Sequence, residues 1–159
     1  MLFLVFEADN ERYCLEVSSI IEVIPMVIFK KIPHVPEYFA GLFNYRGTIV
    51  PVIDLSMLIC RKPSKTLFST RIVLVNYSGI DQNYHILGLL VERATETIFC
   101  NVEKFQSPGI EVDHAKYLGD VIFDDRGMIQ RIRIEKLPPE TIQGFDFDVL
   151  KENDDVVTL

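Results

Sequence analysis

The sequence predicts a mainly β chain, and three observations carry that class. Short apolar runs bounded by turn residues recur along the length, no long amphipathic helical pattern interrupts them, and a strand, Arg-Gly, strand segment occurs twice. Residues 2–6 and 12–17 read as a hairpin joined by the four-residue loop Ala8-Asp9-Asn10-Glu11. Strands at 20–24 and 27–32 flank Pro25, and Pro33 and Pro36 mark the connection that follows. Residues 41–55, G-L-F-N-Y-R-G-T-I-V-P-V-I-D-L, form a hairpin of two apolar strands closed by Pro51 and Asp54, with Arg46 as the one charge up to Ile53. A lone charge where two buried strands meet needs a partner. Residues 55–60 suit one helical turn and 61–69 a polar linker. Strands then follow at 71–77, 85–91 and 92–100, with a turn at 78–83 and a loop around Pro108 and Gly109 before a last pair at 118–123 and 128–134.

The internal echo sharpens the class. Leu42-Phe43-Asn44-Tyr45-Arg46-Gly47-Thr48-Ile49 aligns without gaps on Ile122-Phe123-Asp124-Asp125-Arg126-Gly127-Met128-Ile129. Upstream, Leu15-Glu16-Val17 and Ile20-Ile21-Glu22-Val23-Ile24 align on Leu89-Leu90-Val91 and Ala94-Thr95-Glu96-Thr97-Ile98 at one common offset. Two small β-barrels of like topology are the expected result. Glu22 sits on an otherwise apolar strand, so a Glu22–Arg46 salt bridge is expected between the two lone charges.

At 159 residues the chain suits one compact domain, or two small subdomains sharing a core. Its net charge of -7 disfavours a duplex-binding protein and points to protein partners. A small β-barrel binding single-stranded nucleic acid through Phe43, Tyr45 and Tyr77 is the alternative class, but Arg46 and Arg71 are too few to form its basic groove. Cys14, Cys60 and Cys100, an odd number spread apart, read as reduced packing thiols of a cytosolic protein. The apolar start lacks a basic n-region and runs into Glu7, so it reads as a strand, and no run is long enough to span a bilayer. His34, His85 and His114 are isolated from the cysteines, and neither C-x-x-C, H-E-x-x-H nor a Gly-rich phosphate cradle occurs. No catalytic residue, metal or cofactor is therefore expected. Asp146, Asp148, Glu152, Asp154 and Asp155 mark residues 141–159 as an acidic, solvated tail.

The hairpin motif, taken with Glu22 in its strand, resembles the CheW family, whose usual form is close to G-x-x-N-x-R-G-x-x-x-P-x-x-D-L. Gly41, Asn44, Arg46, Gly47, Pro51, Asp54 and Leu55 match it, Leu87-Gly88-Leu89-Leu90-Val91 matches its G-L-x-V strand, and Tyr117-Leu118-Gly119 resembles its Y-x-x-G segment. The resemblance implies two SH3-like five-stranded β-barrel subdomains around a shared core within residues 1–140, the first mainly 12–60, the second mainly 70–134, and the strand at 1–6 completing the fold. It implies a cytoplasmic, non-enzymatic adaptor that couples the chemoreceptor cytoplasmic tip to the regulatory domain of a CheA-type histidine kinase, with self-association in receptor arrays. Carried over by position, the receptor-binding groove comprises Ile20, Glu22, Gly41, Asn44 and Arg46, with Val91 on its other wall. Two departures stand out: Tyr45 replaces the Leu usual in flagellar versions, and Arg131 and Arg133 alternate with Ile132 and Ile134, giving one strand face a charged edge. The Phe43-to-Gly47 form is more similar to CheW paralogues of Wsp-type surface-sensing systems.

Overall fold

The structure, a computed structural model, describes residues 1–78 and 84–137; the turn expected at 78–83 lies almost wholly outside them, and the acidic tail entirely so. The described residues form β1 (Leu2–Ala8), β2 (Glu11–Glu16), β3 (Ile20–Pro25), β4 (Phe39–Tyr45), β5 (Thr48–Asp54), α1 (Leu55–Cys60), β6 (Arg71–Ser78), β7 (Tyr84–Phe99), β8 (Leu118–Asp124) and β9 (Gly127–Ile132).

Local chemistry explains the turns. β1 and β2 are joined by Asp9 and Asn10 alone, at φ 50 and 64, because Ala8 pairs with Glu11. The expected four-residue loop is thus a tight two-residue turn, made by two residue types that tolerate the left-handed region. The β4–β5 turn has the same form, with Arg46 at φ 51 and Gly47 at φ 89, and the Gly47 N–H donates to Asn44 Oδ1 at 2.7 Å. Helix α1 starts on the buried Asp54, which accepts from the Met57 N–H at 3.3 Å, and stops at Arg61, φ 58.

Two expected strands take other forms. Residues 27–32 do not pair as a strand; only Lys30 does, exchanging both backbone hydrogen bonds with Leu42 on β4 at 2.8 and 2.9 Å. Prolines on both sides limit the ladder, and Ile28 is left 96% exposed. The runs at 85–91 and 92–100 form one continuous strand, β7, with an irregularity at Arg93, φ 51. The 61–69 linker is tied down at two buried carboxylates. Ser64 donates its N–H and hydroxyl to Asp54 at 2.9 and 2.5 Å, and the Lys65 N–H donates to Glu92 at 2.5 Å. Donors placed in this way satisfy the buried carboxylate oxygens.

The strands form two five-stranded SH3-like units that share β7. One runs β3-β6-β7-β5-β4, using the first part of β7; the other runs β7-β1-β2-β9-β8, using its last part. The hydrogen-bonded path among the described residues remains open at β4, β3 and β8. This corrects the expected division at 12–60 and 70–134. β2 pairs with β1 and β9, and β6 pairs with β3 and β7, so each unit draws strands from both halves of the chain.

The exchange is symmetric. The hairpin β1–β2 corresponds to β6 with the start of β7; β3 corresponds to the end of β7; β4–β5 corresponds to β8–β9. In one unit Leu74 pairs with Glu22 on one side and Gly88 on the other; in the second, Val5 pairs with Glu96 and Cys14. Each unit also contains one parallel contact, β5 with β7 and β2 with β9. Even the single-residue bridge recurs, Lys30 to Leu42 and Gln106 to Val121. The repeat in the sequence is therefore a repeat of topology, with the first two strands of each half contributed to the other unit.

Three apolar clusters match this plan. Phe3, Val5, Cys14, Ile122 and Ile129 fill one unit, and Val50, Val52, Ile72, Leu74 and Leu90 the other. Between them Leu4, Phe6, Leu15, Ile53, Val73, Leu87, Leu89 and Ile132 form the shared core. Burial pushes the Cys14 thiol up to about 12, so it stays a protonated packing group.

Gly41 is set by backbone approach: at φ 143, a Cβ there would lie 2.6 Å from the Lys30 carbonyl oxygen. Gly41→Ala should destabilise the fold by about 2 kcal/mol or more, as a fall in the urea midpoint. Unchanged stability would show that the Lys30–Leu42 bridge gives way freely.

Candidate functional site

The β4–β5 turn and β3 bring the expected polar residues together. Among the described residues β3 pairs on one side only, with β6, and it alternates partly buried Ile20, Glu22 and Ile24 with exposed Ile21 and Val23. Glu22 thereby faces the turn. Its carboxylate Oε2 meets Arg46 Nη2 at 3.6 Å and accepts the hydroxyl of Tyr45. The Arg46 guanidinium lies over the Tyr45 ring, 5.1 Å from its centroid, and that ring meets Phe43 edge-on at 6.4 Å. The bond to Glu22 is the main cause that lifts the Tyr45 phenol above its ordinary range.

The salt bridge read from the sequence is present, but Arg46 is not a buried charge. Its side chain is 76% exposed and that of Glu22 37%, because a type I′ turn projects its residues beyond the ends of the strands. Asn44 is exposed and orders the turn through its bond to Gly47. Ile20 packs on the shared core. Gly41 is buried behind Lys30 and presents no surface. Val91, expected on the far wall of a groove, is 1% exposed and lies inside the shared core. Both faces of β7 are covered there, which its unbroken apolar run Leu87-Gly88-Leu89-Leu90-Val91 already implied.

In the sequence repeat Glu96 lies over Glu22 and Arg126 over Arg46. The structure pairs Arg126 with Glu96 at the corresponding place in the second unit. Here Asp125 stands where Tyr45 does, and the ionic contacts are more numerous. Arg12 grips Asp124 through both terminal nitrogens at 2.7 and 2.5 Å, and Arg93 Nε bonds Glu7 at 2.8 Å. A polar cavity of about 210 Å³ lies among Glu7, Arg12, Ser69, Arg93, Glu96 and Arg126. The Arg12 bond, followed by the Arg126 N–H, holds the Asp124 carboxyl down at about 2. The expected charged edge is satisfied internally as well, Arg131 on β9 bonding Glu16 at 2.8 Å and Arg133, just past the strand, lying 3.7 Å from Asp120.

The family profile for the CheW-like domain matches residues 2–140. The chain belongs to the CheW family. A crystal structure of the CheW scaffolding protein of Thermoanaerobacter tengcongensis superposes with a TM-score of 0.74 at 29% identity, covering 86% of each chain. The probable CheW of Rhizobium etli is 26% identical over 138 residues, 86% of each chain. The CheW of Helicobacter pylori is 30% identical over 96 residues, 60% of this chain and 55% of that protein. The CheW family thus accounts for the mainly β fold and for the motif on the β4–β5 turn.

The Asp124 geometry gives a pH dependence. A carboxyl held below its ordinary 3.8 adds stability that is complete above that value and is lost as the pH falls towards about 2. Acid unfolding should therefore steepen below pH ~4, and Asp124→Asn should flatten that limb in a urea series across pH. An identical limb in the variant would remove Asp124 from the acid response.

Proposed function

We propose that this chain is the non-enzymatic adaptor of a chemosensory assembly, holding a chemoreceptor cytoplasmic tip beside the regulatory domain of a CheA-type histidine kinase in the cytoplasm. The observation that carries this reading is the Glu22–Tyr45–Arg46 group, in which Arg46 is exposed and the other two are half-buried, set on the turn of the family motif and at the open edges of β3 and β4. Family membership supports it, as do relatives named as chemotaxis and scaffolding proteins.

The receptor face comprises Glu22, Asn44 and Arg46, with Ile20 supporting it from beneath and Gly41 fixing the strand that ends in the turn. Val91 contributes through the core and not through contact. Two units joined through one strand and one core give a second, separately exposed face for the kinase at a fixed distance from the first. Coupling between two partners needs such a body, because a binding event can bias the other only through a shared, stiff element. The nucleic-acid alternative is not supported. Arg71 donates to the carbonyls of Phe68 and Thr70, so only Arg46 of the two expected basic residues faces outward, and the net charge is -7.

Arg46→Glu should abolish co-purification with a coiled-coil fragment of a chemoreceptor tip while the melting curve moves little, since the side chain is exposed. Retained binding would overturn the receptor reading, and loss of the fold would show Arg46 to be structural. A double-mutant cycle should give non-additive binding losses for Glu22→Ala and Arg46→Ala; additive losses would break the pairing into two independent contacts.

A further inference from the structure

The duplicated topology provides an internal control for the site. Glu96 and Arg126 occupy the places of Glu22 and Arg46, on the same kind of hairpin, and pair with each other, with Asp125 instead of a tyrosine at the place of Tyr45. The residue before Arg126 is Asp125, whereas the residue before Arg46 is Tyr45. A Glu–Arg pair at this point of the fold therefore needs no tyrosine. In the first unit, nonetheless, Tyr45 touches both members: its hydroxyl donates to the same Glu22 oxygen that Arg46 approaches, and its ring carries the guanidinium. Phe43 holds that ring from the side, and Phe29 lies 6.3 Å from Phe43, so the support reaches back into the unit's own apolar cluster.

We propose that Tyr45 is a positioning residue that sets the strength of partner binding at this site by holding Glu22 and Arg46 in their binding geometry before the partner arrives. This rests on the reading of the Glu22–Arg46 group as the receptor face. The physical basis is preorganisation. An arginine side chain exposed to this extent otherwise samples many rotamers, and ordering it on binding lowers affinity. A ring beneath the guanidinium and a carboxylate fixed by a hydroxyl restrict that sampling in the free protein. Arg46 uses one terminal nitrogen on Glu22, which leaves further N–H donors for the partner. The second unit lacks this support, so the two copies of one hairpin have become unequal, one ordered for contact and the other engaged in its own ion pairs.

The test titrates a coiled-coil fragment of a chemoreceptor tip against the full chain and its variants. Tyr45→Phe, which keeps the ring and loses the hydroxyl, should raise Kd about threefold, and Tyr45→Leu, which loses both contacts, about tenfold. In an Arg46→Ala background neither change should matter further, because the group being positioned is gone. A readout independent of binding is the tyrosine titration by NMR of ring-labelled protein: Glu22→Gln should lower the pH at which Tyr45 ionises. If Tyr45→Phe and Tyr45→Leu bind as tightly as the parent while Arg46→Glu does not bind, the positioning role is wrong and the receptor face stands. If Arg46→Glu binds as the parent does, the receptor face itself fails. Equal losses from Tyr45→Leu with and without Arg46 would make Tyr45 a direct contact and overturn the proposal. An unmoved Tyr45 titration in Glu22→Gln would remove the hydroxyl's hold on Glu22.

Discussion

One strand, β7, belongs to both units, and the rest of the structure is arranged around that constraint. Its first part sits between β6 and β5 and its last part beside β1, so neither unit completes its hydrogen bonding without it. The change of partner occurs at Arg93, where φ reaches 51 and the pairing with β1 skips between Val5 and Glu7. A bulge of this kind turns a strand and ends one ladder without breaking the chain. The buried Glu92 next to it would be costly there, but the Lys65 N–H of the linker supplies its donor. The linker that looked loose in the sequence is part of the joint.

Sharing a strand has an energetic consequence. The central cluster contains side chains from both sheets, among them Leu4, Phe6 and Leu15 from one and Val73, Leu87 and Leu89 from the other. Each fully buried Leu or Phe contributes roughly 1.5–3 kcal/mol relative to exposure. Several such residues on each side outweigh the cost of fixing two units in one orientation. Because the first two strands of each half belong to the opposite unit, the two halves of the chain cannot be drawn apart without breaking the β1–β7 and β3–β6 ladders. The pair therefore behaves as one body, which an adaptor needs if the occupancy of one face is to be felt at another.

How much of this was legible depended on the range of the interaction. Most element types followed from local pattern, such as Arg-Gly between apolar runs, while for the Glu22–Arg46 pair the pattern offered an exposed carboxylate equally well and the family resemblance decided. The repeat located corresponding residues correctly, even to Glu96 and Arg126, since both alignments record side chains on the same face of the same strand. What did not follow was which strand joins which unit. Chain order suggested two consecutive barrels, and only the long-range ladders, β2 with β9 and β3 with β6, reveal the exchange. Val91 was misplaced for a related reason. An apolar residue in a strand is equally suited to a groove wall and to a core, and the choice is made by what packs from the other unit. Residues 27–32 had the composition of a strand but not the freedom, with prolines on both sides and Gly41 admitting only Lys30.

The two copies of the hairpin show where fold ends and function begins. Both need a glycine in the left-handed region after the arginine, Gly47 at φ 89 and Gly127 at φ 117, and both set that arginine against a carboxylate on a strand outside the hairpin. Those features are requirements of the turn and of its charge balance. Everything that differs is free of that requirement. The second copy surrounds its pair with Arg12, Asp124, Arg93 and Glu7, satisfying charge with charge inside one unit. The first lays its arginine over Tyr45, whose hydroxyl also bonds Glu22 and whose ring Phe43 meets edge-on. An arginine oriented over an aromatic ring has the composition enriched at the centre of protein interfaces, whereas a set of mutual ion pairs is that of a solvated surface. The same hairpin, occurring twice in one chain, thus carries one arginine ordered over an aromatic ring and one engaged among neighbouring ion pairs.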